Sequence, residues 1–139
     1  MVRFATARLY GGDGMTAREY SENDRLQFYR CMTRIFQMER ELGGSMIDAI
    51  ILRAAAIGRL EGRPMSVSAL ASYVNLPRQT VSRRIGKLTR LGLMTTRRDG
   101  NRTVVDTTEK AKRNSLKFAG DAIAETVDFV RGLDKVRPK

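Results

Sequence analysis

Three residues in the middle of the chain, Asn75-Leu76-Pro77, constrain its fold more than any other feature. Pro77 has no amide hydrogen and pushes the residue before it towards extended backbone, so one helix ends ahead of it and another begins at it. Asn75 is the residue besides glycine that best tolerates a left-handed turn position. On the N-terminal side Leu70, Ala71 and Val74 form an apolar face, and Ser66 or Ser68 is placed to cap the helix that carries them. On the C-terminal side Val81, Ile85, Leu88 and Leu91 repeat at helical spacing, leaving Gln79, Thr80, Ser82, Arg83, Lys87 and Arg90 on other faces. Ser66–Val74 and Arg78–Leu91 thus read as a helix-turn-helix unit whose second helix packs by one face and offers the rest to a partner.

The flanking segments extend this pattern. From Ser21 to Leu42, Leu26, Tyr29, Met32, Ile35, Phe36 and Leu42 form a helical stripe that Gly43-Gly44 terminates. Ser45 caps a second helix to about Leu60 that is apolar nearly all round and therefore central. Pro64 leads into a short extended piece, Met65–Val67. After Leu91-Gly92-Leu93, the β-prone stretches Met94–Arg98 and Arg102–Asp106 flank the turn residues Asp99-Gly100-Asn101, which predicts a hairpin. Thr108 caps a last long helix, Glu109 to about Leu133, with Leu116, Ala119, Ile123, Val127, Val130 and Leu133 along one stripe. Residues 1–16 lack sustained periodicity and read as a mobile arm, and 17–139 as a single domain. The fold class expected is mainly α with a small β-hairpin wing: a winged helix-turn-helix, 65–106, between long helices at 21–42 and 109–133.

Charge says what such a unit meets. The 139 residues hold 26 Lys plus Arg against 15 Asp plus Glu, a formal charge of +11, which points to a polyanion. Eleven of those cations but only three of the acids fall between Arg78 and Arg113, on the second helix of the unit, the hairpin behind it and the start of the last helix.

Other chemistries are excluded by what is missing. There is no histidine and one cysteine, Cys31, so neither a Ser-His-Asp nor a Cys-His pair nor a Cys/His zinc cluster can be built. No phosphate-cradling glycine loop ending in Lys-Ser/Thr occurs. The chain is expected not to be an enzyme and to need neither metal nor cofactor. Cys31, among Tyr29, Met32, Ile35 and Phe36, reads as buried filler rather than an oxidant sensor. Arg53 interrupts the most apolar stretch, so no bilayer-spanning helix fits, and Met1–Tyr10 has no signal-like apolar run. A cytoplasmic protein without a membrane partner is expected.

Four runs make the reading narrower: Ser66-Val67-Ser68-Ala69-Leu70-Ala71, Thr80-Val81-Ser82-Arg83, Lys87-Leu88 leading to Leu91-Gly92-Leu93, and Thr108-Glu109-Lys110. Together with the order of elements they resemble the MarR (multiple antibiotic resistance regulator) family of bacterial transcription factors, over about 50 residues from Met65 to Leu116. The resemblance implies a winged helix-turn-helix regulator of transcription and a pocket for a small-molecule effector. The wing departs from the family's usual longer tip with Asp-x-Arg, because here Asp99-Gly100-Asn101-Arg102 is a tight Asp-x-x-Arg turn, and Arg102 stands where the wing arginine is wanted.

A homodimeric repressor that binds double-stranded DNA sequence-specifically is the function expected. Arg78, Gln79, Thr80 and Ser82 at the leading end of the recognition helix would face base edges in the major groove. Arg83, Arg84 and Lys87 would meet bases or phosphates, and Arg97, Arg98 and Arg102 on the wing would meet the minor groove or the backbone. Ile123, Val127, Val130 and Leu133 would join two copies. The alternative is a winged-helix protein-interaction module whose basic face binds an acidic partner or non-specific nucleic acid.

Overall fold

A computed structural model describes residues 20–133; the arm expected at 1–16 lies outside them. The order of elements is α1 (Glu22–Gly43), α2 (Met46–Leu60), α3 (Val67–Val74), α4 (Arg78–Arg90), β1 (Met94–Asp99), β2 (Arg102–Thr107) and α5 (Glu109–Arg131). This is the winged helix-turn-helix class expected from the sequence.

Short polar side chains set the helix starts. Ser21, Ser45, Ser66 and Thr108 each accept a hydrogen bond from the backbone N–H three residues on, which satisfies one of the four free donors of a helix N-terminus. The turn between α3 and α4 follows its residues closely. Asn75 adopts φ 58° and ψ 48°, its N–H and that of Leu76 return to carbonyls of α3, and Pro77 opens α4 with its carbonyl accepting from Val81. The hairpin pairs Asp99 directly with Arg102, leaving Gly100 and Asn101 as a two-residue turn with Gly100 at φ 61°. Positive φ at the first central residue is the twist that antiparallel strands favour, and glycine takes it without steric cost.

One core joins the helix-turn-helix to its neighbours. Ile51, Ala54 and Ala55 of α2 meet Val67, Leu70 and Ala71 of α3, Val81, Ile85 and Leu88 of α4, and Met94 and Val105 of the hairpin. Each fully buried aliphatic side chain there contributes about 1.5–3 kcal/mol. The extended piece before α3 adds a third rung to the sheet: Ser66 bridges to Val104, and the Val105 N–H donates to the Met65 carbonyl at 2.9 Å.

The terminal helices pack on each other, by faces that differ from the expected stripes. Phe28 of α1 and Phe129 of α5 meet with ring centroids 5.7 Å apart, and Arg34 Nε donates to Glu125 Oε2 at 2.8 Å. Cys31 is buried there, its Sγ 3.7 Å from the Glu125 carbonyl. The stripe of Leu116, Ile123, Val127 and Val130 lies on the outer side of α5, all four exposed, and Leu133 is half-buried. Leu26, Tyr29 and Phe36 of α1 are exposed as well. The stripe of α5 expected to join two copies is thus the face that its own chain leaves bare.

Candidate nucleic-acid interface

The second helix of the unit, α4, is held by its apolar side. Val81, Ile85 and Leu88 are buried in the core. At about 100° per residue, Gln79, Arg83 and Arg90 fall on the opposite side, with Ser82 beside them, and all four are exposed. Arg78 is exposed at the leading end and Thr80 is half-buried on the flank. Because Pro77 occupies the cap position and provides no side-chain bond, the first amides of α4 are met by no capping side chain.

Two side chains expected on the partner-facing surface are turned elsewhere. Lys87 Nζ donates to Asp48 Oδ2 at 2.8 Å, and Arg84 Nη1 lies 3.5 Å from Asp48 Oδ1. Asp48 comes from α2 and is fully buried. Among the described residues its Oδ1 and the Nε of Arg84 have no hydrogen-bond partner, so Lys87 is the well-made contact and Arg84 the loose one. Because Asp48 is buried, losing both of its cations would leave its charge without compensation. Asp48 escaped the sequence reading, although a signal was present: it is the one acid in a largely apolar α2, and a buried charge requires a partner.

The hairpin extends the basic surface. Arg97, Arg98 and Arg102 are all exposed, and strand alternation separates them. Arg97 and Arg102 share one face with Asp99, whereas Arg98 shares the other with Thr96 and, further in, the core residues Met94 and Val105. Arg102 Nη2 lies 3.8 Å from Asp99 Oδ2, an exposed pair that holds the arginine only weakly.

A cavity of about 530 Å³ lies among α1, α2 and α5. Its walls are Leu52, Ala56 and Ile57 of α2, Leu42 of α1, and Phe118 and Ala119 of α5, with Leu93 below. Glu39, Arg53, Arg59 and Lys112 supply its charges. Arg53 donates to Glu39 at 2.6 Å, and Arg59 reaches Thr107 Oγ1 and Glu109 Oε1, each at 3.3 Å. Among the described residues no group of acids and cysteines is arranged to hold a metal, and no helix is long and apolar enough to cross a membrane.

Residues 52–97 match the model of a helix-turn-helix domain family. No match is found among curated proteins. Solved structures are similar over most of the chain. A point mutant of MepR from S. aureus, bound to an oligodeoxyribonucleotide, superposes with a TM-score of 0.65 at 14% identity, covering 84% of this chain and 87% of that one. A MarR family transcription regulator superposes at 0.60 with 17% identity, covering 81% and 74%. NadR in complex with 4-hydroxyphenylacetate gives 0.60 at 17% identity, covering 84% and 82%. Likeness at such identities is a likeness of fold.

Proposed function

From a chain with the winged helix-turn-helix fold of MarR-family transcription regulators, we propose a sequence-specific regulator of transcription that binds double-stranded DNA as a homodimer and represses. One observation carries the reading: Gln79, Ser82, Arg83 and Arg90 form an exposed line on a helix whose other side is locked in the core. A major groove about 12 Å wide admits one helix presented in this way. Arg78 and Gln79 make bidentate base contacts there, Thr80 and Ser82 add shorter ones, and Arg83 meets a base or a phosphate. Arg97 and Arg102 follow on the wing. The DNA-bound MepR structure supports the same use of the fold.

The bare stripe on α5 supports a second copy. Leu116, Ile123, Val127 and Val130 expose apolar surface on one side of the helix, with Leu133 at its end. Gly120 stands in the same stripe, and a Cβ built there meets nothing within 4 Å in its own chain, leaving room for a partner helix. Two-fold pairing sets two recognition helices about 34 Å apart, one helical turn of DNA.

A small-molecule effector fits the cavity, whose size and mostly apolar walls suit a ligand with a few polar groups. The 4-hydroxyphenylacetate complex of NadR makes that compound the first to titrate. Ligand bound beside Arg59 changes the base of the wing, and with it the spacing of the DNA-reading elements.

Binding to random-sequence and to selected duplexes across 50–200 mM salt tests the reading. A specific-to-non-specific ratio of about 10³ or more is the result expected. Binding to acidic peptides with no duplex preference would instead identify a protein-interaction module.

A further inference from the structure

We propose that Asp48 sets the charge with which α4 meets DNA by withdrawing Lys87, and less firmly Arg84, from the phosphates. The inference rests on the DNA-binding reading and adds a residue outside the DNA-facing surface to it. Helix α4 carries five cations and no acid in its thirteen residues. Phosphate contacts strengthen binding to every sequence, whereas base contacts strengthen it only on the right one, so a helix that gave all five cations to the backbone would bind everywhere.

The carboxylate that opposes this comes from the neighbouring helix. Asp48 is the third residue of α2, one turn past the Ser45 cap, where the peptide dipoles favour an anion. It is fully buried, so water does not screen it, and both of its ion pairs go to α4. Lys87 is 44% exposed along its side chain although its ammonium is turned inward to Oδ2 at 2.8 Å. It stands four residues after Arg83, about 40° further round the helix, so a released Lys87 reaches the same backbone that Arg83 approaches. The buried acid therefore divides the cations of α4 into those that read DNA and those that hold the helix in place.

Salt dependence separates this role from a merely structural one. The full chain, Asp48→Asn, Lys87→Gln and the double variant are titrated with a random-sequence duplex between 50 and 200 mM salt. Asp48→Asn is expected to steepen the slope of log affinity against log salt by about 0.9 for each freed cation, or about 3.5-fold more affinity lost over that range per contact. Lys87→Gln alone leaves the slope where it was, and adding it to Asp48→Asn removes the gain that Lys87 supplied. A folded Asp48→Asn with an unchanged slope overturns the proposal, as does a Lys87→Gln variant that loses a full phosphate contact. If Asp48→Asn fails to fold, Lys87→Gln decides by itself: an unchanged slope supports the proposal and a flattened one overturns it. Absence of duplex binding by the unaltered protein overturns the DNA-binding reading and this inference together, whereas binding with an unmoved slope in Asp48→Asn overturns this inference alone.

Discussion

Arg59 lines the cavity and its guanidinium donates to Thr107 Oγ1 at 3.3 Å, so one residue joins the cavity to the last residue of the wing. Its second nitrogen donates to Glu109 Oε1, also at 3.3 Å, in the first turn of α5. The pair is partly exposed, with side chains 30% and 69% accessible, so its worth to global stability is at most about 1 kcal/mol.

Arg59→Ala is therefore expected to leave the melting temperature within a few degrees of the parent while loosening the wing locally. Hydrogen exchange at Val105–Thr108 accelerates, and that at Leu70 and Ala71 in the core does not. Uniform acceleration over both segments would show that Arg59 holds the whole fold instead of one junction.

Base reading is assigned to the leading end of α4. Arg78→Ala or Gln79→Ala is expected to cost about 1–3 kcal/mol on the selected duplex and to relax preference at one base pair, with little change on random duplex. Equal losses on both duplexes would move these side chains to the phosphates.

On the wing, the two faces are expected to behave differently. Arg97 and Arg102 share the face away from Met94 and Val105, so neutralising either flattens the salt slope by about 0.9, whereas neutralising Arg98 does not. A slope that responds to Arg98 alone would turn the wing over.

Two glycines inside helices give opposite expectations for stability. A Cβ at Gly58 would lie 2.9 Å from the Arg63 carbonyl, where the chain doubles back after α2, so Gly58→Ala destabilises. At Gly86 the nearest atom is Arg90 Nη1 at 3.7 Å, and alanine gains about 1 kcal/mol of helix propensity. Denaturant midpoints of the two variants measure both, and a Gly86→Ala variant less stable than the parent would contradict the second.

The parts of the fold legible in the sequence are those governed by local chemistry. Asn75 and Pro77 define a turn, Thr108 caps a helix, and Gly100 closes a hairpin, because each acts through backbone dihedrals or a bond three residues away. The apolar face of α4 was legible too, since one stripe and one core leave a single solution. What was not legible depends on a second element. The stripe from Leu116 to Val130 was visible as apolar, but that α1 meets Glu125 and Phe129 beside it depends on where a second helix lies. Arg84 and Lys87 looked like their neighbours until Asp48, far away in the chain, appeared beneath them.

Self-association is the expectation drawn from that bare stripe. Val127→Glu places a charge in it and is expected to leave the core intact, to shift sedimentation towards the monomer, and to weaken binding to a two-half-site duplex far more than to one half-site. Full two-site affinity in this variant would take α5 out of the dimer contact.

Selection of duplexes from a random-sequence pool by the purified protein tests the central claim most directly. The account predicts an enriched inverted repeat, its half-sites one helical turn apart, bound at least about 10³-fold more tightly than random duplex. A pool that stays random after repeated selection, with affinity governed by salt alone, would contradict it.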